Sequence, residues 1–297
     1  MDGQVIVAGA TGALGGRIVD ALLARGAAVR ALVRRGGAVE RAAALAQRGA
    51  EVAEVAFDRI EELERACAGG ACVVSALSGL REAVIDAQSA LLDAAVAAGV
   101  PRFIPSDFSI DFTRLIPGTN RNLDLRREFR ERLEAAPIAA TSVLCGMFME
   151  LLAGTAPIVL FPLRRVLVWG SADQPLDFTT VADTAAFTAA AALDAATPRF
   201  LRIAGDRCSA RQLAEAVSRV TGKPFRLLRG GSLARLERLI AVARVLAPGR
   251  HALYPPWQGM QYLRDMFSGR GALDPLDNHR YPELRWTSVE EFLAARR

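Results

Sequence analysis

"VIVAGATGALGGRIVDALLARG", residues 5–26, runs from an apolar segment through a cluster of glycines into an amphipathic segment. Gly9, Gly12 and Gly15 have G-x-x-G-x-x-G spacing at the junction of a predicted strand and a predicted helix. There the first glycine permits a tight turn, the second the close approach of a pyrophosphate, and the third close helix–strand packing. The N–H groups that begin the helix favour an anion. The stretch therefore predicts a dinucleotide-binding loop, with a plain structural turn as the alternative.

Strand-like and helix-like segments alternate over the first half of the chain. Six strands are predicted at "QVIVAG", "AVRALVRR", "AEVAEVAF", "ACVVSAL", "PRFIPSDF" and "IAATSVL". Helical patterns over about 14–25, 38–48, 60–68, 80–98 and 122–135 separate them. This alternation is typical of a parallel sheet with right-handed crossovers, and six strands complete a doubly wound Rossmann sheet of the α/β class.

The alternation becomes looser after about residue 145. "RRVLVWG" and "RFLRIAG" are predicted strands, and three helical patterns lie at about 181–196, 209–222 and 232–249. We therefore predict a cofactor-binding Rossmann domain over 1–145. A smaller α/β substrate lobe over 146–297 is predicted to be interleaved with it.

The amino-acid composition limits which kinds of partner and metal site can be expected. Hydrophobic residues make up 52% of the 297-residue chain and charged residues 23%, which is typical of a globular protein. The net charge of +5 is small and interspersed, so no direct nucleic-acid partner is expected. The four cysteines form no CxxC pair and no cluster with histidine, so neither a metal site nor a disulfide is expected.

The sequence also indicates where in the cell the protein is expected. The first residues lack the pattern of a secretory signal, and the longest uncharged stretch, 151–163, is shorter than the roughly 20 residues of a membrane span. We therefore expect a cytoplasmic protein with no membrane partner.

The end of the second predicted strand bears on which dinucleotide is bound. An NAD site usually has a carboxylate there for the ribose 2′-hydroxyl. This chain has "ALVRRGG" instead, and guanidinium groups of Arg34 and Arg35 suit a 2′-phosphate. NADP(H) is therefore favoured over NAD, with two solvated arginines as the alternative. Asp58, after the third strand, either contacts the adenine end or caps a turn.

The predicted cofactor contacts combine the glycine loop, these charged residues and the end of the fourth strand. They are Gly9, Thr11, Gly12, Ala13, Leu14, Gly15, Arg34, Arg35, Asp58, Ser75, Ala76 and Leu77.

Several segments together resemble the NmrA-like and isoflavone-reductase-like atypical short-chain dehydrogenases/reductases. The resemblance is carried by the glycine loop and by "RFIPSDFSID" (102–111), "LEAAPIAATSVLCGMFME" (133–150), "LDFTTVADTAAFTAAAAL" (176–193) and "HRYPELRWTSVEEFL" (279–293). It covers nearly the whole chain. The Tyr-x-x-x-Lys pair of common short-chain dehydrogenases is missing, because no tyrosine has a lysine four residues later.

The resemblance implies that a residue in the helix after the fifth strand lies at the nicotinamide end of the cofactor, where hydride is transferred. Reductases of that family have a lysine there, and counting back from Phe129 and Glu134 the matching position is Arg126. Arginine stays charged and cannot serve as a general base. Arg126 could instead hold the nicotinamide ribose or stabilise an oxyanion. Ser106 and Asp107, at the carboxyl end of the fifth strand, are the other catalytic candidates, with loop capping as the alternative.

Two functions follow from the fingerprint and the resemblance. The first is an NADPH-dependent reductase that transfers hydride to a small apolar, aromatic carbonyl, quinone or benzylic acceptor. The alternative is a non-catalytic, NADP(H)-sensing NmrA-like regulator that acts through a protein partner.

Overall fold

A six-stranded parallel sheet is the centre of the first half of the chain. The computed structural model describes residues 3–154 and 156–296. The strand order is β3-β2-β1-β4-β5-β6, and every neighbouring pair is parallel. This order is that of the doubly wound Rossmann fold, so the predicted fold class is confirmed. The strands are β1 Gln4–Ala8, β2 Val29–Arg34, β3 Glu51–Val55, β4 Gly70–Ser75, β5 Arg102–Ile104 and β6 Ala139–Ala140.

Helices connect these strands at the positions that the sequence predicts. The expected helix over 80–98 begins as a π-helical segment, Glu82–Ala87, and continues as an α-helix. The connecting α-helices are α1 Ala13–Leu23, α2 Val39–Gln47, α3 Ile60–Cys67, α4 Gln88–Ala97 and α5 Arg121–Ala135.

The core between this sheet and its helices is apolar. Ile6 and Phe103 from the strands are completely buried, and so are Leu63 and Phe129 from the helices. The rings of Phe103 and Phe129 lie 6.2 Å apart, so α5 packs directly on β5. Strands covered on both faces explain why the sequence shows nearly continuous apolar runs there.

The predicted sixth strand is divided into two. The sequence favours one strand over 138–144, but β6 ends at Ala140 and β7, Ser142–Leu144, pairs with β12, Phe200–Arg202. Thr141 N still donates to Phe103 O at 3.0 Å, whereas Ser142 N donates to Arg199 O at 2.8 Å. The backbone therefore changes hydrogen-bonding partner between two consecutive residues, which the residue pattern does not indicate.

The chain forms two compact units, each built from several segments. The first comprises residues through Phe108, then Leu125–Val143 and Thr184–Leu201, and the second comprises the remainder. They are similar in length, whereas the sequence suggested a division at 145 and a smaller second lobe. Arg102 at the start of β5 donates to Ala192 O at 3.0 Å and to Ala191 O at 2.9 Å, which explains why this late segment joins the first unit.

The second unit contains two small three-stranded sheets, β14-β10-β9 and β13-β11-β8, and several helices. Two of those helices begin with capping boxes, Ser209 with Gln212 and Ser288 with Glu291. No helix in the described part of the chain is both long and apolar enough to cross a bilayer. The remaining strands and α-helices are β8 Met147–Phe148, β9 Val159–Leu160, β10 Arg165–Trp169, β11 Pro175–Thr179, β13 Asp206–Ser209, β14 Arg226–Gly231, α6 Val181–Leu193, α7 Ala210–Thr221, α8 Leu233–Leu246, α9 Pro256–Phe267 and α10 Val289–Ala294.

Candidate functional site

The glycine loop joins β1 to α1 and leaves no room for side chains at two of its glycines. Gly9 has φ of +76°, and a Cβ there would lie 2.6 Å from Ala76 O. A Cβ at Gly15 would collide with Gly9 O, because the first turn of α1 lies directly on the loop. Gly12 N donates to Gly9 O at 2.9 Å and closes the turn. The glycines are therefore required by backbone packing as well as by any ligand.

The beginning of α1 is open to an anion. Gly12 is its N-cap residue, and no side chain in the described part of the chain caps the helix. Gly12 and Ala13 are exposed, and Thr11 and Leu14 are partly exposed. The N–H groups at this end and the positive end of the helix dipole are thus available to a phosphate.

Arg34 and Arg35 both follow the buried part of β2, but their side chains differ. Arg35 Nη2 forms an ion pair with Glu62 Oε2 at 2.9 Å, and this carboxylate also accepts a hydrogen bond from Ala56 N. These two interactions, the backbone hydrogen bond first, lower the pKa of Glu62. Arg34 is exposed and forms no ion pair with any residue that the structure describes. Arg34 is therefore the more available cation at the end of β2.

Arg41 is a third guanidinium at this loop, and sequence reasoning missed it. Its Nη1 donates to Thr11 O at 3.0 Å. Arg41 lies in the first turn of α2, where the helix dipole disfavours a cation. A basic residue at that position is the signal that could have identified it.

The other predicted cofactor contacts differ in how exposed they are and in whether they reach the glycine loop. Ala76 N donates to Ala8 O at 2.9 Å, so Ala76 lies against Gly9 at the carboxyl end of β4, and both Ala76 and Leu77 are partly exposed. The Ser75 side chain is fully buried and does not reach the surface of the loop. Asp58 is exposed in the turn between β3 and α3, where turn capping remains the alternative to a ligand contact.

Ser106 connects two strand ends. Its Oγ donates to Leu77 O at 2.7 Å, and its N–H donates to Gln88 Oε1 at 2.9 Å. Both polar groups of Ser106 are thus engaged in hydrogen bonds within a buried site, as loop capping requires, and its catalytic role stays a prediction.

Asp107 is a buried carboxylate surrounded by polar and cationic groups. Its side chain is almost inaccessible, and Oδ2 accepts a hydrogen bond from Ser142 Oγ at 2.6 Å. Burial raises the pKa of Asp107, while the Ser142 hydrogen bond and the charges of Arg126 and Arg199 oppose that rise. The arrangement therefore combines a costly buried acid with cations that partly compensate it.

Ser142 and Arg199 complete this cluster, and sequence reasoning did not identify them. Arg199 Nη1 donates to Ser142 Oγ at 2.7 Å. Burial lowers the pKa of Arg199, although Asp107 and Glu134 oppose that change. No local pattern could link these residues, because 35 positions separate Ser142 from Asp107 and 57 separate it from Arg199.

Arg126 is half-buried on α5 and belongs to the same cluster. Phe129 and Leu133, three and seven residues later, are buried, so Arg126 lies on the side of α5 that faces the core. Arg126 is the first of three arginines whose charge stabilises the ionised form of Asp107. The first unit thus contains a permanent cation that interacts electrostatically with a buried acid.

Comparisons with known proteins agree with this architecture. The chain is 34% identical over 200 residues to Pinoresinol reductase 1 of Arabidopsis thaliana, and the match spans 63% of each chain. It is 27% identical over 316 aligned positions to Bifunctional pinoresinol-lariciresinol reductase 2 of Thuja plicata, covering 98% of this chain and 97% of the relative. A solved structure of AtPrR2 with NADP+ and (+)pinoresinol superposes with a TM-score of 0.84 at 24% identity over 99% of both chains.

The family model is matched over nearly the full length. The NmrA-like family model covers residues 1–293, which include the glycine loop, the Asp107 cluster and all but the last residue of α10. On this match, the chain belongs to the NmrA-like family.

Proposed function

We propose that this chain is an NADPH-dependent reductase of small, apolar aromatic compounds. The glycine loop carries the proposal. Because Gly9 and Gly15 have no side chains, only backbone atoms lie there at the start of α1, and a pyrophosphate can approach that backbone closely. The curated relatives are reductases by name, and the solved relative is a complex with NADP+. The first relative is matched over 63% of its length, so the activity itself remains our proposal.

The charged residues beside the loop fit NADP(H) better than NAD. Arg41 supplies a guanidinium group that contacts the glycine loop, Arg34 supplies an exposed one at the end of β2, and Arg35 is already occupied by Glu62. Guanidinium groups bind phosphate through paired, charge-assisted hydrogen bonds. We therefore assign the 2′-phosphate to Arg34 with Arg41 as its second donor, and the pyrophosphate to the start of α1.

The bound cofactor supplies the hydride, and the chain's own residues orient the reacting groups. Arg126 provides a fixed positive charge for an oxygen that becomes negative as the acceptor is reduced. Burial raises the pKa of Asp107 and the charge of Arg126 opposes that rise, so the two side chains interact electrostatically in the resting protein. Since arginine keeps its proton, the proton that completes the reduction comes from water.

The acceptor class rests on the relatives and on this charge pattern. Pinoresinol and lariciresinol, the compounds in the relatives' names, are aromatic, which favours an aromatic carbonyl, quinone or benzylic acceptor. Within that class, an acceptor that needs only hydride and a water-derived proton suits a site with arginine at position 126.

A sensor remains the second candidate, and one observation favours it. Arg126 occupies the position at which the resemblance implies a lysine, and it cannot exchange a proton. A protein with this substitution could bind NADP(H) without turning it over and report its redox state to a protein partner.

The deciding experiment measures NADPH oxidation by the purified chain with quinones, enones, aromatic aldehydes and benzylic ethers. The wild type is compared with Arg126→Ala and with a matched variant, Arg127→Ala, on the same helix. Turnover that falls in Arg126→Ala alone supports the reductase and its site. Equal turnover in all three proteins would refute the role of Arg126, and NADPH binding without turnover would favour the sensor.

A further inference from the structure

Helix α8 exposes large apolar side chains to an unusual degree. Of its fourteen residues, only Leu236 and Ile240 are buried. Val242 is 53% exposed, and Val245 and Leu246 are each 79% exposed. A surface helix normally turns its apolar residues inward, so a group of this kind at one end of a helix indicates a surface that another body covers.

The same outward side of α8 carries positive charge. At 100° per residue, Arg235 and Arg238 lie on the arc that Val242, Val245 and Leu246 continue towards the C-terminus. Glu237, the one acidic residue of this helix, lies on the opposite flank. Neither arginine forms an ion pair with any residue in the described part of the chain, and Arg238 donates only to Ala234 O, one turn earlier.

Exposed side chains also follow α8 along the chain. Arg250 is exposed in the following loop, and Tyr254 is 64% exposed. Tyrosine is enriched where an apolar layer meets water, because its ring is apolar and its hydroxyl is polar. We refer to Arg235, Arg238, Val242, Val245 and Leu246, together with this loop, as the α8 face.

The charge of the α8 face selects among possible partners. In a symmetric dimer that joins this face to itself, a second copy of the chain would bring arginines to arginines, because no acidic side chain lies on the outward arc to pair with them. An anionic phospholipid surface complements both parts of the face. Phosphates can accept hydrogen bonds from Arg235 and Arg238, and the acyl boundary can accept the apolar end.

We infer that the α8 face binds peripherally to anionic phospholipid membranes. Val245 and Leu246 enter the boundary between headgroups and acyl chains, and Arg235 and Arg238 bind lipid phosphates. The helix is about 21 Å long and lies in the interface rather than crossing it. The expectation of no membrane partner relied on the lack of a span, and interfacial binding requires none. The inference is independent of the proposed reductase activity.

The test is flotation of the full-length protein with vesicles. Vesicles of phosphatidylcholine alone are compared with vesicles of equal parts phosphatidylcholine and phosphatidylglycerol. We expect binding to the anionic vesicles that weakens at about 0.5 M salt, where the Debye length is about 4 Å. Phosphatidylcholine vesicles should retain little protein. Failure to bind anionic vesicles at low salt would overturn the inference.

Matched variants separate the apolar and the charged contributions. Val245→Ser with Leu246→Ser should weaken binding roughly tenfold or more, whereas Leu163→Ser, which removes a side chain of 63% exposure elsewhere, should not. Arg235→Gln with Arg238→Gln should weaken binding roughly 25-fold, since each arginine near the surface contributes roughly fivefold. Arg25→Gln is its control, because Arg25 is exposed and also donates to the carbonyl one turn earlier.

Folding and self-association are measured on the same proteins. Circular dichroism and thermal unfolding establish that the variants are folded, because every substituted side chain is exposed. Sedimentation velocity reports the oligomeric state. A wild-type dimer that Val245→Ser with Leu246→Ser converts to a monomer, without vesicle binding, would assign the face to a second copy and overturn our inference. Equal losses in the control variants would overturn it too.

Discussion

The hydroxyl of Ser142 donates a hydrogen bond to Asp107 Oδ2 at 2.6 Å and accepts one from Arg199 Nη1 at 2.7 Å. One hydroxyl thereby connects a buried acid at the end of β5 with an arginine just before β12. A buried charge is costly unless it is paired and hydrogen-bonded. We therefore expect Ser142 to contribute to the stability of the first unit.

Ser142→Ala should lower the free energy of unfolding by about 1–3 kcal/mol, because it leaves a buried carboxylate oxygen and a guanidinium without their shared partner. Denaturant titration measures this loss. Ser89→Ala is the control, since Ser89 accepts a hydrogen bond from Arg132 at 3.0 Å in an exposed setting. It should change stability by less than about 0.5 kcal/mol. Equal effects of the two substitutions would contradict the assigned role of Ser142.

The stability of the protein should depend on pH through Asp107. Burial raises the pKa of Asp107 in the folded state above its unfolded value of about 3.9. The folded protein then binds this proton more tightly than the unfolded chain does. The free energy of unfolding of the wild type, relative to Asp107→Asn, should therefore fall as pH rises from about 4 through the folded pKa.

Asp173, which is exposed, should show the opposite dependence of stability on pH and serves as a comparison. The hydrogen bond from Arg211 lowers the pKa of Asp173. The wild type should therefore lose stability relative to Asp173→Asn as pH falls through that lowered pKa, and the effect should be small because the pair is exposed. Denaturant midpoints at several pH values measure both differences. A pH-independent difference for Asp107→Asn would refute the assigned effect of burial.

Features that depend on interactions between residues close in sequence could be predicted from the sequence, whereas features that depend on contacts between distant segments could not. The glycine loop and the alternating strands were predictable, since Gly9, Gly12 and Gly15 act within one turn and strands follow local apolar patterns. The break after Thr141 was not, because it arises from a hydrogen bond between Ser142 N and Arg199 O.

The candidate site shows the same division. Arg34 could be identified from its place at the end of a strand, whereas Arg41 reaches the loop through a contact between its side chain and Thr11 O, thirty positions earlier. Asp107 could be named from its strand end. Its partners Ser142 and Arg199 come from distant segments that only the folded sheet brings together.

The two adjacent glycines of α1 should respond differently to alanine. Gly15→Ala places a Cβ against Gly9 O, so it should destabilise the protein by about 1–3 kcal/mol and abolish NADPH binding. At Gly16 the nearest atom to a built Cβ is Ala10 O at 3.2 Å, which a small shift relieves. Gly16→Ala should therefore be nearly neutral. Thermal unfolding and NADPH fluorescence titration measure both, and equal losses would contradict the packing argument.

Arg34 and Arg35 should contribute unequally to cofactor selectivity. Arg34→Ala should weaken NADPH binding roughly 10- to 100-fold and leave NADH binding unchanged, because it removes a charge-assisted contact to the 2′-phosphate. Arg35→Ala should have a smaller effect, because Glu62 already binds that guanidinium. Calorimetry with both cofactors tests this order. Arg48→Ala, which breaks an exposed pair with Asp20, is the control, and a larger effect of Arg35→Ala would reverse our assignment.

Arg126→Lys should add a pH dependence that the wild type lacks. Arginine stays charged across the accessible range, so the fixed cation beside Asp107 should leave the alkaline side of the wild-type activity profile flat. A lysine loses its proton near its ordinary pKa of about 10.4, and earlier where it is partly buried. The variant's kcat/KM for NADPH-dependent reduction should therefore fall at alkaline pH. Arg127→Lys should retain the wild-type profile, and a flat profile for Arg126→Lys would show that the charge at position 126 does not support the reaction.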